Sequence, residues 1–157
     1  MNFPKSLMMA VFALAMTCLG CDEVQQDVVA YSKASSPIYN KFSTDIGQKM
    51  KDAQGLEDKA AYVAKTRNEI LPLFKEFKDK MAAIKPETKP VQDIHNTYVA
   101  AIGTGAEGIA ALADSIDKQD EALAKTAQAK LEASGKAEEK YKKDLEALAK
   151  EHGVPVK

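Results

Sequence analysis

From residue 24 onward the apolar positions of this chain recur at steps of three, four or seven, the spacing that marks one face of an α-helix. A first stripe runs Val24, Val28, Tyr31, Ile38, Phe42, Ile46, Met50 and Ala53. Pro37 falls inside it. A proline there removes one backbone hydrogen bond and crowds the preceding turn, which predicts a kink or short break around Ser35-Ser36-Pro37. Gly55 is placed to stop the helix in a left-handed conformation. A second stripe, Val63, Thr66, Ile70, Phe74, Phe77, Met81 and Ile84, predicts a helix from Glu57 to Lys85. Glu57 and Asp58 sit at its positive start, and Pro72 interrupts it. Pro86-Glu87-Thr88-Lys89-Pro90 then forces a turn, with Thr88 placed to cap the next helix.

Val91, Ile94, Tyr98, Ile102, Gly105, Ile109, Leu112 and Ile116 form a third stripe. Leu123, Ala127, Leu131, Ser134, Ala137, Tyr141, Leu145 and Leu148 form a fourth, closed by Gly153 and Pro155. Between them Asp117-Lys118-Gln119-Asp120 contains neither Gly nor Pro. A turn there is inferred from length, because an unbroken helix from Val91 to Glu151 would run about 90 Å. Each stripe makes a helix of roughly 45 Å and the links are short, so neighbours run antiparallel. The expected fold is all-α, an up-down-up-down four-helix bundle. Two other arrangements satisfy the same stripes: a three-helix bundle with a long bent partner, and an extended antiparallel coiled coil completed by dimerisation.

The first 20 residues do not belong to that pattern. Lys5 precedes ten uninterrupted apolar residues, Leu7 to Met16, and the small-residue exit Thr17-Cys18-Leu19-Gly20. This is the layout of a secretory signal, and ten residues rise only about 15 Å, half a hydrocarbon core. The domain organisation is therefore a signal peptide over 1–20 and a helical domain over 21–157. Leu19-Gly20-Cys21 resembles the lipobox of bacterial lipoproteins, departing from it at Cys18, where the family usually carries an aliphatic residue. The resemblance covers only the first 21 residues. It implies that Cys21 receives a diacylglycerol, becomes the first residue after cleavage and anchors the protein by palmitate-class acyl chains in a cell membrane, facing the periplasm. In enteric members an Asp after the Cys, here Asp22, signals inner-membrane retention; the rule varies between lineages, so inner and outer membrane both stay open. The alternative is ordinary cleavage after Gly20, since Cys18 and Gly20 also satisfy a small-x-small rule, leaving Cys21 a free thiol.

Charge narrows the partners. The chain has 22 Lys plus Arg against 23 Asp plus Glu; loss of Lys5 with the signal leaves 21 against 23, a net −2. Such a surface is no nucleic-acid footprint, and attachment to a membrane rests on acyl chains rather than on headgroup attraction. With 45% hydrophobic and only 6% aromatic residues, the composition favours helix formers. With Cys18 cleaved away and Cys21 acylated, no disulfide framework remains.

Candidate chemistry is sparse. Gly103-Thr104-Gly105-Ala106-Glu107-Gly108 matches GxGxxG, but a dinucleotide site needs a strand before the glycines, and here a helical period runs into them. The expectation is that these glycines let two helices approach closely. His95 and His152 lack the Glu-x-x-His pattern of di-metal bundles, so no metal is expected; His152 sits in the last turn, where a cation complements the helix dipole. The stretch from Asp93 to Leu145 is similar in its Ala-rich pattern to small b-type cytochromes, which implies a haem held by Met and His. Glu138 to Lys143 supply no such His, leaving Met50 with His152 as the conceivable pair. No nucleophile elbow or catalytic Cys is present, so no catalytic residue and no cofactor are expected. Glu121–Lys125, Glu139–Lys143 and Glu146–Lys150 read as i,i+4 pairs on a solvated face. Lys157 resembles the wall-linked terminal Lys of murein lipoproteins, a likeness of one residue. The functional expectation is a non-enzymatic binding or scaffolding module of the cell envelope, with an envelope protein as partner; the rival is a haem- or metal-carrying periplasmic bundle.

Overall fold

In the computed structural model, residues 22–155 are described. The expected signal segment 1–20, the expected acylation site Cys21 and the terminal Lys157 lie outside them. The described residues form four antiparallel helical arms and no strand. The arms are α1 (Glu23–Gln54), a second arm made of α2 (Lys59–Lys65), a π-turn (Thr66–Ile70) and α3 (Leu71–Ala82), then α4 (Lys89–Lys118) and α5 (Glu121–Glu151). Phe42 against Phe77, Lys78 beneath Gly103 and Ser134 bonded to Ala101 fix the successive antiparallel pairings. Asp22 paired with His152 closes α1 onto α5. The fold is an up-down-up-down bundle, and the core takes its residues from the expected stripes, among them Val28, Phe42, Met81, Val91 and Leu145.

The ends of the arms differ from expectation in instructive ways. Pro37 produces no break: α1 is continuous, and the Ser36 hydroxyl donates to the Ser32 carbonyl at 2.6 Å in the turn the proline leaves short of a donor. Gly55 is not left-handed. It holds φ −78°, ψ −4° and donates its N–H to the Lys51 carbonyl, while the Leu56 N–H bonds the Ala53 carbonyl and ends the helix by a tightened last turn. Pro72 interrupts the second arm without breaking it. The turn just before it widens to π geometry, with the Leu71 N–H reaching back to the Thr66 carbonyl, and this accommodates a ring that would otherwise collide with the turn below. Asp58 caps α2 by accepting from the Ala60 N–H.

Thr88 occupies the N-cap position of α4 but does not cap it. Its hydroxyl donates to Asp27 Oδ2 at 2.7 Å, and the same oxygen accepts the backbone N–H groups of Thr88 and Glu87 at 2.7 and 3.0 Å. Asp27 on α1, only 6% exposed, thus ties the α3–α4 turn across sixty residues of sequence. The α4–α5 turn falls where length demanded it. Gln119 takes φ 53°, and Asp120 Oδ1 accepts from Ala122 and Leu123 N–H. Gly153, at φ 69°, ends α5 as expected: Val154 N–H bonds the Ala149 carbonyl and Gly153 N–H the Lys150 carbonyl, with Val154 buried.

Removing the Asp27 carboxylate orphans two backbone donors and a hydroxyl at once. Asp27→Ala should therefore cost about 2–4 kcal/mol in urea unfolding, and Asp27→Asn, which keeps an acceptor, should cost distinctly less.

Candidate functional site

Besides the Asp27 knot, a cluster of buried polar side chains lies where α1, α4 and α5 meet in the half of the bundle nearest Asp22. Tyr31, Tyr98 and Tyr141 each occupy a stripe position, so the helical period delivers all three rings to the core while their hydroxyls must find partners there. Tyr98 and Tyr141 stack with centroids 4.1 Å apart and planes 13° off parallel. The Tyr31 and Tyr141 hydroxyls lie 3.5 Å apart, and His95 Nδ1 approaches the Tyr31 hydroxyl at 3.4 Å with the two rings edge to face. The aromatic contact continues from Tyr98 edgewise to Phe77 and from Phe77 in a stack to Phe42. Toward the surface Tyr39 donates to Glu138 Oε1 at 3.2 Å, and Lys142 pairs with Glu138 at 2.8 Å.

Burial sets the electrostatics of this cluster. It pushes the Tyr31, Tyr98 and Tyr141 hydroxyls well above their ordinary value, so all three stay protonated and neutral. Burial also pushes the His95 imidazole below its usual 6.5, and the Lys85 charge adds to that shift. His95 is thus a neutral core side chain.

His152 lies elsewhere, as the C-cap of α5, with Nδ1 against Asp22 Oδ2. Asp22 Oδ1 at the same time accepts the Val24 N–H at 3.0 Å and caps α1. These two bonds, the backbone one foremost, hold the Asp22 carboxyl below the usual carboxylate range. One residue pair therefore caps the start of the first helix and the end of the last. Met50 sits far from it. It is buried near the opposite end of α1, 28 residues or about 42 Å from Asp22 along that helix, so Met50 and His152 cannot share a haem iron. Among the described residues no three His, Cys, Asp or Glu side chains converge.

The GxGxxG segment lies inside α4, not at a strand-to-helix turn. A Cβ at Gly105 would stand 2.8 Å from Ser134 Oγ, and one at Gly108 2.9 Å from the Leu131 side chain and 3.2 Å from the Leu131 backbone nitrogen. Both glycines face α5, and the Ser134 hydroxyl uses the close approach to donate to the Ala101 carbonyl at 2.8 Å. Gly103 faces the other way, over the Lys78 stem. The motif is a packing surface, as its helical context implied. The same surroundings explain why α4, by length and composition the one described helix apolar enough to cross a membrane, packs on α3 and α5 inside the bundle.

Arg67, on the π-turn, reaches Asp114 and Asp117 at 2.7 and 2.9 Å and offsets two acids placed unfavourably at the negative end of α4. The ion pairs found on α5 are Lys140–Asp144, Lys142–Glu138 and Lys130–Glu107, in place of the three expected pairs. Spacing along the sequence did not single out Asp27 or the hydroxyl cluster; three tyrosines and a histidine in phase on facing stripes were the available signal. No protein-family model matches the chain, and no curated protein and no solved structure is measurably similar to it.

Because the folded state lowers the His95 value, the unfolded chain binds the extra proton first as pH falls. The His95 contribution is complete above the unfolded value near 6.5 and is lost progressively as pH drops through it toward the folded value. Urea midpoints followed from pH 8 to 5 should fall across that window in the unaltered protein and flatten in His95→Gln.

Proposed function

We propose that the mature chain is a lipid-anchored bacterial envelope protein, facing the periplasm, that binds or scaffolds another envelope protein and performs no chemistry of its own. The observation that carries this reading is a coincidence of boundaries: Leu19-Gly20-Cys21 ends at the residue immediately before Asp22, the cap of the first helix.

Acylation at that position would leave almost no tether. α1 begins two residues after Cys21, so the bundle would stand within about one helix length, roughly 45 Å, of the lipid surface. Each buried methylene of the acyl chains contributes about 0.8 kcal/mol, and two or three chains hold far more firmly than one. The residues that carried candidate chemistry in the sequence have structural partners inside the bundle. His95 serves the tyrosine cluster, His152 caps α5, and the glycine motif packs two helices.

The test is the fate of Cys21. Mass spectrometry of the membrane-extracted protein should show the diacylglyceryl and acyl mass on Cys21, and Cys21→Ser should release the protein into the soluble fraction. A bare Cys21, or a Cys21→Ser protein still bound to membrane, contradicts the anchor. A Soret band in the purified protein contradicts the cofactor-free reading and favours a haem carrier.

A further inference from the structure

Three features of the α4–α5 connection point the same way. The first is conformational strain. Gln119 is the one described non-glycine residue with positive φ, at 53°, where a side chain crowds its own backbone. The second is that the local sequence opposes the turn. Lys118, Gln119 and Glu121 are good helix formers, neither glycine nor proline lies between Ala110 and Leu131, and the break is held by the Asp120 cap and the Asp120 N–H to Ser115 carbonyl bond. The third is phase. Ile109, Ile116, Leu123 and the next members Ala127 and Leu131 succeed one another by sevens and fours, so the stripes of α4 and α5 lie on one face of any single helix that joins them.

We propose that this chain associates with a second copy of itself by exchanging α5. Gln119 returns to right-handed helical geometry, α4 and α5 become one rod of about 90 Å, and α5 of each copy docks on α4 of the other. The surface that receives it is the glycine face of α4, where Gly105 and Gly108 admit Ser134 and Leu131. α5 is suited to leave as a unit. It packs chiefly on α4 and meets α1 through a few side chains, Tyr141 with Tyr31, Glu138 with Tyr39 and His152 with Asp22. Each of these contacts is remade in the exchanged dimer, so the balance rests on the released strain against the entropy of association. The hinge lies at the end of the bundle opposite Asp22, so the Asp22 residues of the two copies mark opposite tips of the rod. None of this requires acylation.

The experiment measures polypeptide mass by sedimentation equilibrium of the full chain in density-matched detergent, after refolding at low and high protein concentration. The unaltered chain should form a dimer at high concentration. Gln119→Ala, which is worse in the strained turn and better in the rod, should increase it. Gln119→Gly should raise the dissociation constant about 100-fold, roughly tenfold for each strained hinge relieved. The exchange itself is read by co-refolding one copy carrying Gly105→Cys with another carrying Ser134→Cys, both with Cys18 and Cys21 replaced by Ser. The Cβ positions are 3.6 Å apart in the folded contact, right for a disulfide, so a covalent heterodimer should form. A monomeric mass at every concentration for both the unaltered chain and Gln119→Ala overturns the proposal. So does a dimer that ignores Gln119→Gly, or one that yields no disulfide between the two copies.

Discussion

The structure depends on how closely α4 and α5 approach at Gly105 and Gly108. Any side chain at either position would meet Ser134 or Leu131 at well under ordinary contact distance. The missing Cβ atoms let the helices settle together and allow an interhelical hydroxyl-to-carbonyl bond from Ser134 to Ala101. Glycine within a helix costs about 1 kcal/mol in propensity, and the packing along the facing surfaces offsets that cost. The stack of Tyr98 on Tyr141 at 4.1 Å is a consequence, since one ring comes from each of these two helices. α4 also touches α1 and the second arm, so it meets every other arm of the bundle.

A second constraint acts at the Asp22 end, where the first helix is stitched to the rest by polar groups in addition to the buried Val28 and Tyr31. Asp27 holds the α3–α4 turn, Tyr31 meets Tyr141 and His95, and Asp22 joins His152. These bonds lie in surroundings of low dielectric or at helix termini, where leaving one partner unpaired is costly. The end proposed to face the membrane is therefore also the end with the most specific connectivity. The opposite end carries the Arg67 clamp and a turn in which Asp120 bonds hold Gln119 at positive φ.

The four arms, their antiparallel order and the core were legible because apolar spacing is a local signal that the buried stripe residues obey. The stop at Gly153 was legible for the same reason, since a left-handed glycine with an apolar residue tucking back behind it is written in adjacent positions. The features that escaped depend on distance in sequence. Asp27 reads as an ordinary solvated acid until the turn sixty residues later folds over it, and Thr88 looks like a cap until that acid supplies a stronger acceptor. Gly55 had the residue type of a left-handed stop, but its amide continues the helical bond to Lys51, the next amide tightens onto Ala53, and no positive φ is needed. Pro72 was expected to interrupt its helix, yet nothing local distinguishes a π-turn from a break. The partners of the two histidines, a tyrosine on another helix and the cap of α1, could not be seen from spacing within either helix.

The central claim, that bare glycine backbone at the α4–α5 seam sets the bundle's geometry, is tested most directly by comparing two chemically identical substitutions. Gly135→Ala adds its methyl where nothing lies within 4 Å, so it should gain about 1 kcal/mol of stability from helix propensity alone. Gly108→Ala makes the same gain but drives a methyl into Leu131, side chain and backbone both, and should lose about 1–3 kcal/mol net. Opposite signs in matched urea unfolding curves are the predicted result. A gain in stability from both would mean that the seam has room to spare and would contradict the account.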